Sequence, residues 1–119
     1  MSDTITIYHN PRCSKSRATL ELLKSDDREP EVIEYLKTPP SKETLESILD
    51  MLGMEPRELM RKQEKEYAEA GLDNPDLPRA DLIAAMIRYP RLIERPIVVT
   101  GGKAIIGRPP ESVMEILQP

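Results

Sequence analysis

The sequence predicts an α/β domain: a βαβ unit first, an all-helical insert at about 41–90, then a β-hairpin and a closing helix. Three observations carry this. An alternating run, Thr4-Ile5-Thr6-Ile7-Tyr8, and a β-rich run, Val32-Ile33-Glu34-Tyr35-Leu36, flank a helical stretch. Strands joined in that way pair in parallel, with a right-handed crossover. Leu45, Ile48, Leu49 and Leu52 recur at i, i+3, i+4 and i+7, the clearest helical period in the chain. Finally, Ile97-Val98-Val99-Thr100 and Lys103-Ala104-Ile105-Ile106 flank Gly101-Gly102, a two-residue hairpin signal.

Taken in order, residues 4–8 are strand one, and helix one runs from about Ser14 to Ser25. The polar stretch Asp26-Asp27-Arg28-Glu29-Pro30 ends it, and strand two covers 32–36. Thr38-Pro39-Pro40-Ser41 stops the sheet. Ser41 is a good N-cap, Glu43 suits the first helical turn, and Gly53 terminates that helix. Pro56 opens a short helix holding Leu59, Met60 and Arg61. Lys62 to Ala70 is a charged helix or partly ordered segment with Tyr67 as its main anchor. Pro78 opens another helix, with Leu82, Ile83, Met86 and Ile87 on one face, ending before Pro90. The hairpin follows, Gly107 and Pro109-Pro110 break it, and Glu111 to Leu117 closes the chain as a helix. Residues 1–119 read as one domain, the helical block being an insertion within it.

Composition narrows the function classes. The chain has 119 residues, enough to bury a core. Phe and Trp are absent, so aliphatic residues and Met must build that core. A net charge of −4 argues against general nucleic-acid binding. No apolar run approaches the roughly 20 residues of a membrane span, and no signal-peptide pattern is present, so the cytoplasm is the expected location. One Cys and one His do not make a closed zinc site, and no metal is expected.

The chemistry gathers at Tyr8-His9-Asn10-Pro11-Arg12-Cys13-Ser14-Lys15-Ser16-Arg17, which holds the only cysteine and the only histidine. Cys13 falls at a strand-to-helix turn, where unpaired backbone N–H groups favour an anion. An ordinary thiol is only about 3% thiolate at pH 7, and this setting lowers its pKa. Arg12, Lys15 and Arg17 add positive charge nearby. The plain alternative is a small buried hydrophobe, the usual fate of a lone cysteine. A nucleophilic Cys13 would have no second thiol in this chain to resolve it, so that thiol must come from outside.

The order of elements matches a thioredoxin-like fold with a helical insert, and the chain resembles the ArsC family of glutathione- and glutaredoxin-dependent arsenate reductases. The resemblance rests on His9-Asn10-Pro11-Arg12-Cys13-Ser14-Lys15-Ser16-Arg17, Tyr35-Leu36-Lys37-Thr38-Pro39-Pro40, Leu59-Met60-Arg61-Lys62, Arg95-Pro96-Ile97-Val98-Val99 and Gly107-Arg108-Pro109. It implies that Cys13 attacks arsenate, that glutathione is the co-substrate with no bound cofactor, and that glutaredoxin is a partner. It assigns Arg61, Arg95 and Arg108 to an oxyanion clamp, has His9 and Ser16 tune the thiol, matches Arg17, and makes Pro96 a cis-proline. Guanidinium forks suit a tetrahedral oxyanion. Each arginine by itself is as readily a surface charge, and His9 as readily a structural imidazole. One departure stands out: Ser14-Lys15 occupies the place where the family carries Gly-Thr. It puts the chain in a related branch and leaves the oxyanion less secure.

Three other readings compete. A monothiol exchange enzyme suits the Cys-X-X-Ser pattern. An RNA polymerase-binding regulator of this fold would need Cys-X-X-Cys, and Ser16 stands at the second position. The phosphatase-like arsenate reductase needs Cys-X5-Arg, and Thr19 stands where its arginine should be.

Overall fold

A computed structural model describes residues 4–117. The chain divides into two compact units. One joins the residues up to Thr38 with those from Arg95 onward, and the other is Pro39–Glu94.

The first unit contains the sheet. β1 (Thr6–His9), β2 (Glu31–Glu34), β3 (Ile97–Thr100) and β4 (Lys103–Ile106) lie in the order β2-β1-β3-β4. β1 and β2 are parallel and joined through α1 (Ser14–Ser25), as the βαβ pattern requires. β3 is antiparallel to β1 and to β4. Ile7 lies opposite Val98, and both are fully buried. With Ile5 they pack against Leu23 of α1 and against Val113 and Leu117 near the C-terminus. Each such side chain contributes about 1.5–3 kcal/mol by leaving water.

β2 is shorter than expected. Lys37 and Thr38 N–H both donate to the Glu34 carbonyl (2.9 and 3.0 Å), so the backbone turns back and takes Tyr35 and Leu36 out of the sheet. The closing helix also differs. Residues Pro110–Val113 form a 3₁₀ turn, and only Met114–Leu117 is α-helical (α5).

The second unit is helical. α2 (Lys42–Leu52) starts at Ser41, whose Oγ accepts the Thr44 N–H at 3.1 Å. It ends at Gly53, whose φ of 67° is left-handed and suits glycine. The charged 62–70 stretch holds only the short α3 (Lys65–Glu69). Arg57 ties it down, donating to the Tyr67 hydroxyl (2.9 Å), the Asn74 carbonyl (2.9 Å) and the Leu72 carbonyl. α4 (Arg79–Arg88) buries Leu82, Ile83 and Met86, and α2 buries Leu45, Ile48 and Leu49. No helix among the described residues is long and apolar enough to cross a membrane.

Candidate active site

Cys13 is the N-cap residue of α1, with extended backbone (φ −96°, ψ 123°). The turn before it is closed by its own N–H on the Asn10 carbonyl, and by the Arg12 N–H on Asn10 Oδ1, both at 3.0 Å. The residue is 8% exposed. Burial pushes the thiol pKa up. The Ser16 N–H, the Arg95 guanidinium by hydrogen bonding and by charge, and the Lys15 N–H outweigh it, and the net shift is downward. The helix N-terminus therefore acts as the sequence implied. Of the neighbouring cations, Lys15 acts on the thiol through its backbone N–H, and Arg17 Nη1 donates to the Pro11 carbonyl at 2.8 Å.

His9 and Ser16 are both buried, and His9 Nδ1 lies 2.6 Å from Ser16 Oγ. Ser16 Oγ also accepts the Asn10 N–H at 3.0 Å. Burial lowers the His9 pKa; Glu34 opposes this, and Arg17 and Lys24 reinforce it, so the ring is neutral at pH 7. With the ring proton on Nε2, Nδ1 accepts a hydrogen bond from the Ser16 hydroxyl. His9 thus fixes Ser16, and the Ser16 backbone N–H faces the sulfur.

Sheet register places the arginines of this unit. Ile97 pairs with both Tyr8 and Ile106, so residues just before β3 and just after β4 stand together at the end of β1. Arg95–Pro96 is cis, as expected, and Arg108–Pro109 is cis as well. Arg108 Nη1 donates to the Arg95 carbonyl at 3.4 Å. Arg95 Nε is a buried donor with no hydrogen-bond partner among the described residues. Such a donor costs free energy unless an acceptor meets it.

The first unit therefore gathers Cys13, His9, Ser16, Arg17, Arg95, Pro96 and Arg108. Arg61 belongs to the second unit, where its guanidinium pairs with Glu64 and with Glu94 (3.6 Å). Among the described residues, no group of three or more His, Cys, Asp and Glu side chains could hold a metal ion.

Two positioning residues escape the sequence. Thr19 is fully buried, and its hydroxyl donates to the Lys15 carbonyl at 2.8 Å. Gly107 packs against it so closely that a Cβ would stand 2.5 Å from Thr19 Oγ1 and 2.9 Å from Pro96 Cγ. Gly107 N–H also donates to the Pro96 carbonyl at 2.9 Å. The available signal was a glycine directly before Arg108-Pro109. Gly107→Ala is expected to cost about 1–3 kcal/mol by overpacking, and to slow Cys13 alkylation as α1 is displaced. Urea unfolding and iodoacetamide kinetics measure both.

The sequence profile of the ArsC family matches residues 8–116. The chain is 55% identical to "Uncharacterized protein YfgD" of Escherichia coli strain K12, across 98% of this chain and 99% of that one. It is 48% identical to the "Arsenate reductase" of Haemophilus influenzae, across 96% and 99% of the two chains. Among solved structures, the arsenate reductase from Vibrio cholerae superposes with a TM-score of 0.94 at 50% identity, covering 98% of this chain and 99% of that one. The fold is thioredoxin-like, and the chain belongs to the ArsC family.

Proposed function

We propose that this chain, acting as a single functional domain in the cytoplasm, reduces arsenate to arsenite with Cys13 as nucleophile. One observation carries the reading: a thiol held toward thiolate stands beside a guanidinium that has a buried donor still to satisfy. Relatives of equal length named arsenate reductase give the substrate class.

In this mechanism the Cys13 thiolate bonds to arsenic, and one arsenate oxygen leaves as water after protonation. Arg95 and Arg108 neutralise the oxyanion. A glutathione thiolate then attacks the Cys13 sulfur. The S–As bond pair stays with arsenic, which leaves as arsenite, and Cys13 remains in a disulfide with glutathione. A glutaredoxin thiolate takes up the glutathione and frees Cys13. Two thiols are oxidised to one disulfide as arsenic gains two electrons. The partner thiols are external because the chain has a single Cys.

The test is arsenate-dependent NADPH consumption, coupled through glutathione reductase, glutathione and glutaredoxin. The expected result is turnover that requires all three thiol components. Turnover without glutaredoxin would remove that partner. No turnover with arsenate, beside exchange with a small glutathione disulfide, would establish the monothiol exchange reading, which the Ser14-Lys15 departure favours. A polymerase pull-down addresses the regulator reading, in which Ser16 leaves no intramolecular disulfide switch.

A further inference from the structure

Two cations beside Cys13 have no task in the steps above. Arg12 and Lys15 are both exposed. Among the described residues, neither side chain forms an ion pair. Their place is electrostatically unfavourable. Lys15 lies in the first turn of α1, where the backbone dipole leaves partial positive charge and a carboxylate would stabilise the helix. That turn has no acidic residue, and Arg12 before it and Arg17 after it add charge of the same sign. The chain as a whole is not basic, since its net charge is −4. Yet residues 4–20 and 95–110 contain Arg12, Lys15, Arg17, Arg95, Lys103 and Arg108, and no Asp or Glu.

Most of these cations are accounted for within the first unit. Lys103 lies at the hairpin, at the opposite end of β4 from Arg108. Arg95 lowers the thiol pKa, Arg108 donates to the Arg95 carbonyl, and Arg17 donates to the Pro11 carbonyl. Arg12 and Lys15 are left with solvent, but they cannot stand far from the sulfur. The Lys15 backbone N–H hydrogen-bonds to it, and Arg12 directly precedes Cys13. Whichever rotamers the two side chains adopt, their charges act within about a Debye length, roughly 8–10 Å, of a molecule seated on that sulfur. Attraction at this range needs no fixed contact.

Local rules broken without a structural return mark positions kept for a ligand. That ligand is anionic and comes to Cys13. A tetrahedral oxyanion is compact and takes donors at hydrogen-bond range, which Arg95 offers. A thiol donor instead arrives across the exposed rim. Glutathione carries a carboxylate at each end with its sulfur between them, and Arg12 and Lys15 lie on either side of Cys13 in the chain. We propose that Arg12 and Lys15 select the resolving thiol by charge, drawing the carboxylates of glutathione to Cys13 and disfavouring uncharged and cationic thiols. The proposal rests on the reading above in which an outside thiol resolves Cys13.

Disulfide exchange on the full chain tests it without arsenate. Cys13 is reacted with oxidised glutathione, with uncharged hydroxyethyl disulfide and with cationic cystamine. In each case the Cys13 thiolate attacks one sulfur, a new S–S bond joins that half to Cys13, and the other half leaves as a thiolate with the electron pair of the broken bond. The ratio of the glutathione rate to the hydroxyethyl disulfide rate cancels any change in the thiolate fraction. Lys15→Gln and Arg12→Gln are each expected to lower this ratio about threefold, and Lys15→Glu about tenfold. The ratio of cystamine to hydroxyethyl disulfide should rise by similar factors. An unmoved glutathione ratio in Lys15→Glu overturns the proposal. So does a fall matched by an equal fall with cystamine, because access rather than charge would then have changed. The wild type carries a second check that needs no variant: raising the salt concentration should lower its glutathione ratio, and an absence of that effect overturns the proposal too. Wild-type Cys13 that reacts with none of the three disulfides would instead overturn the outside-thiol reading.

Discussion

Cys13→Ser is expected to lower arsenate-dependent turnover by at least about 10³-fold, because it removes the group that bonds to arsenic. The substitution is close to isosteric at a site 8% exposed, so folding should be retained. The Ser16 and Lys15 N–H groups and the Arg95 guanidinium would still surround position 13. They can bring a thiol to thiolate near neutral pH, but an alcohol is a far weaker acid and stays protonated. The loss should therefore fall on kcat, with arsenate still bound. Turnover in the coupled assay, with thermal unfolding as control, decides it. Residual turnover above a percent of wild type, in a folded variant, would mean that another group carries the electrons.

The parts of this site legible in the sequence are those set by local chemistry. Cys13 at a helix start follows from an alternating run that ends at Tyr8 and a helical run that begins by Ala18. The boundaries of α1 and α2 were legible too, because polar breakers, Ser41 and Gly53 act within a few residues. The cis bond at Pro96 came from the resemblance, since composition and spacing do not announce it. Long-range packing was not legible. The Thr19–Gly107 contact joins residues 88 apart, and each looks ordinary in its own surroundings. Nor does a local reading tell where an exposed cation spends its charge. Arg12, Lys15 and Arg17 adjoin the sulfur in sequence, whereas Arg95, far along the chain, acts on it. Likewise Glu94 reaches Arg61 only because Met60 and Ile93 form a bridge.

Arg95→Ala should separate two consequences of one guanidinium. The first concerns the thiol. In the wild type Arg95 helps hold the Cys13 pKa down, so its removal leaves burial less opposed, and the pKa rises. The thiolate fraction at pH 7 then falls, and the pH profile of Cys13 alkylation moves to higher pH. Folding linkage has the matching sign. A depressed native thiol pKa contributes stability above the unfolded thiol's pKa, and that contribution is lost as pH falls through the native pKa. Arg95→Ala should narrow this pH-dependent part of the stability. The second consequence concerns the oxyanion. Losing a charge-assisted donor is expected to weaken arsenate binding by about 10- to 100-fold, or roughly 1.5–3 kcal/mol. Measured well above both thiol pKa values, where the thiolate is fully formed in each protein, alkylation should no longer be slower in the variant while the binding defect persists. An unmoved alkylation profile would detach Arg95 from the thiol. A moved profile with unchanged arsenate affinity would leave Arg95 as a tuner of Cys13 and take it out of the oxyanion clamp.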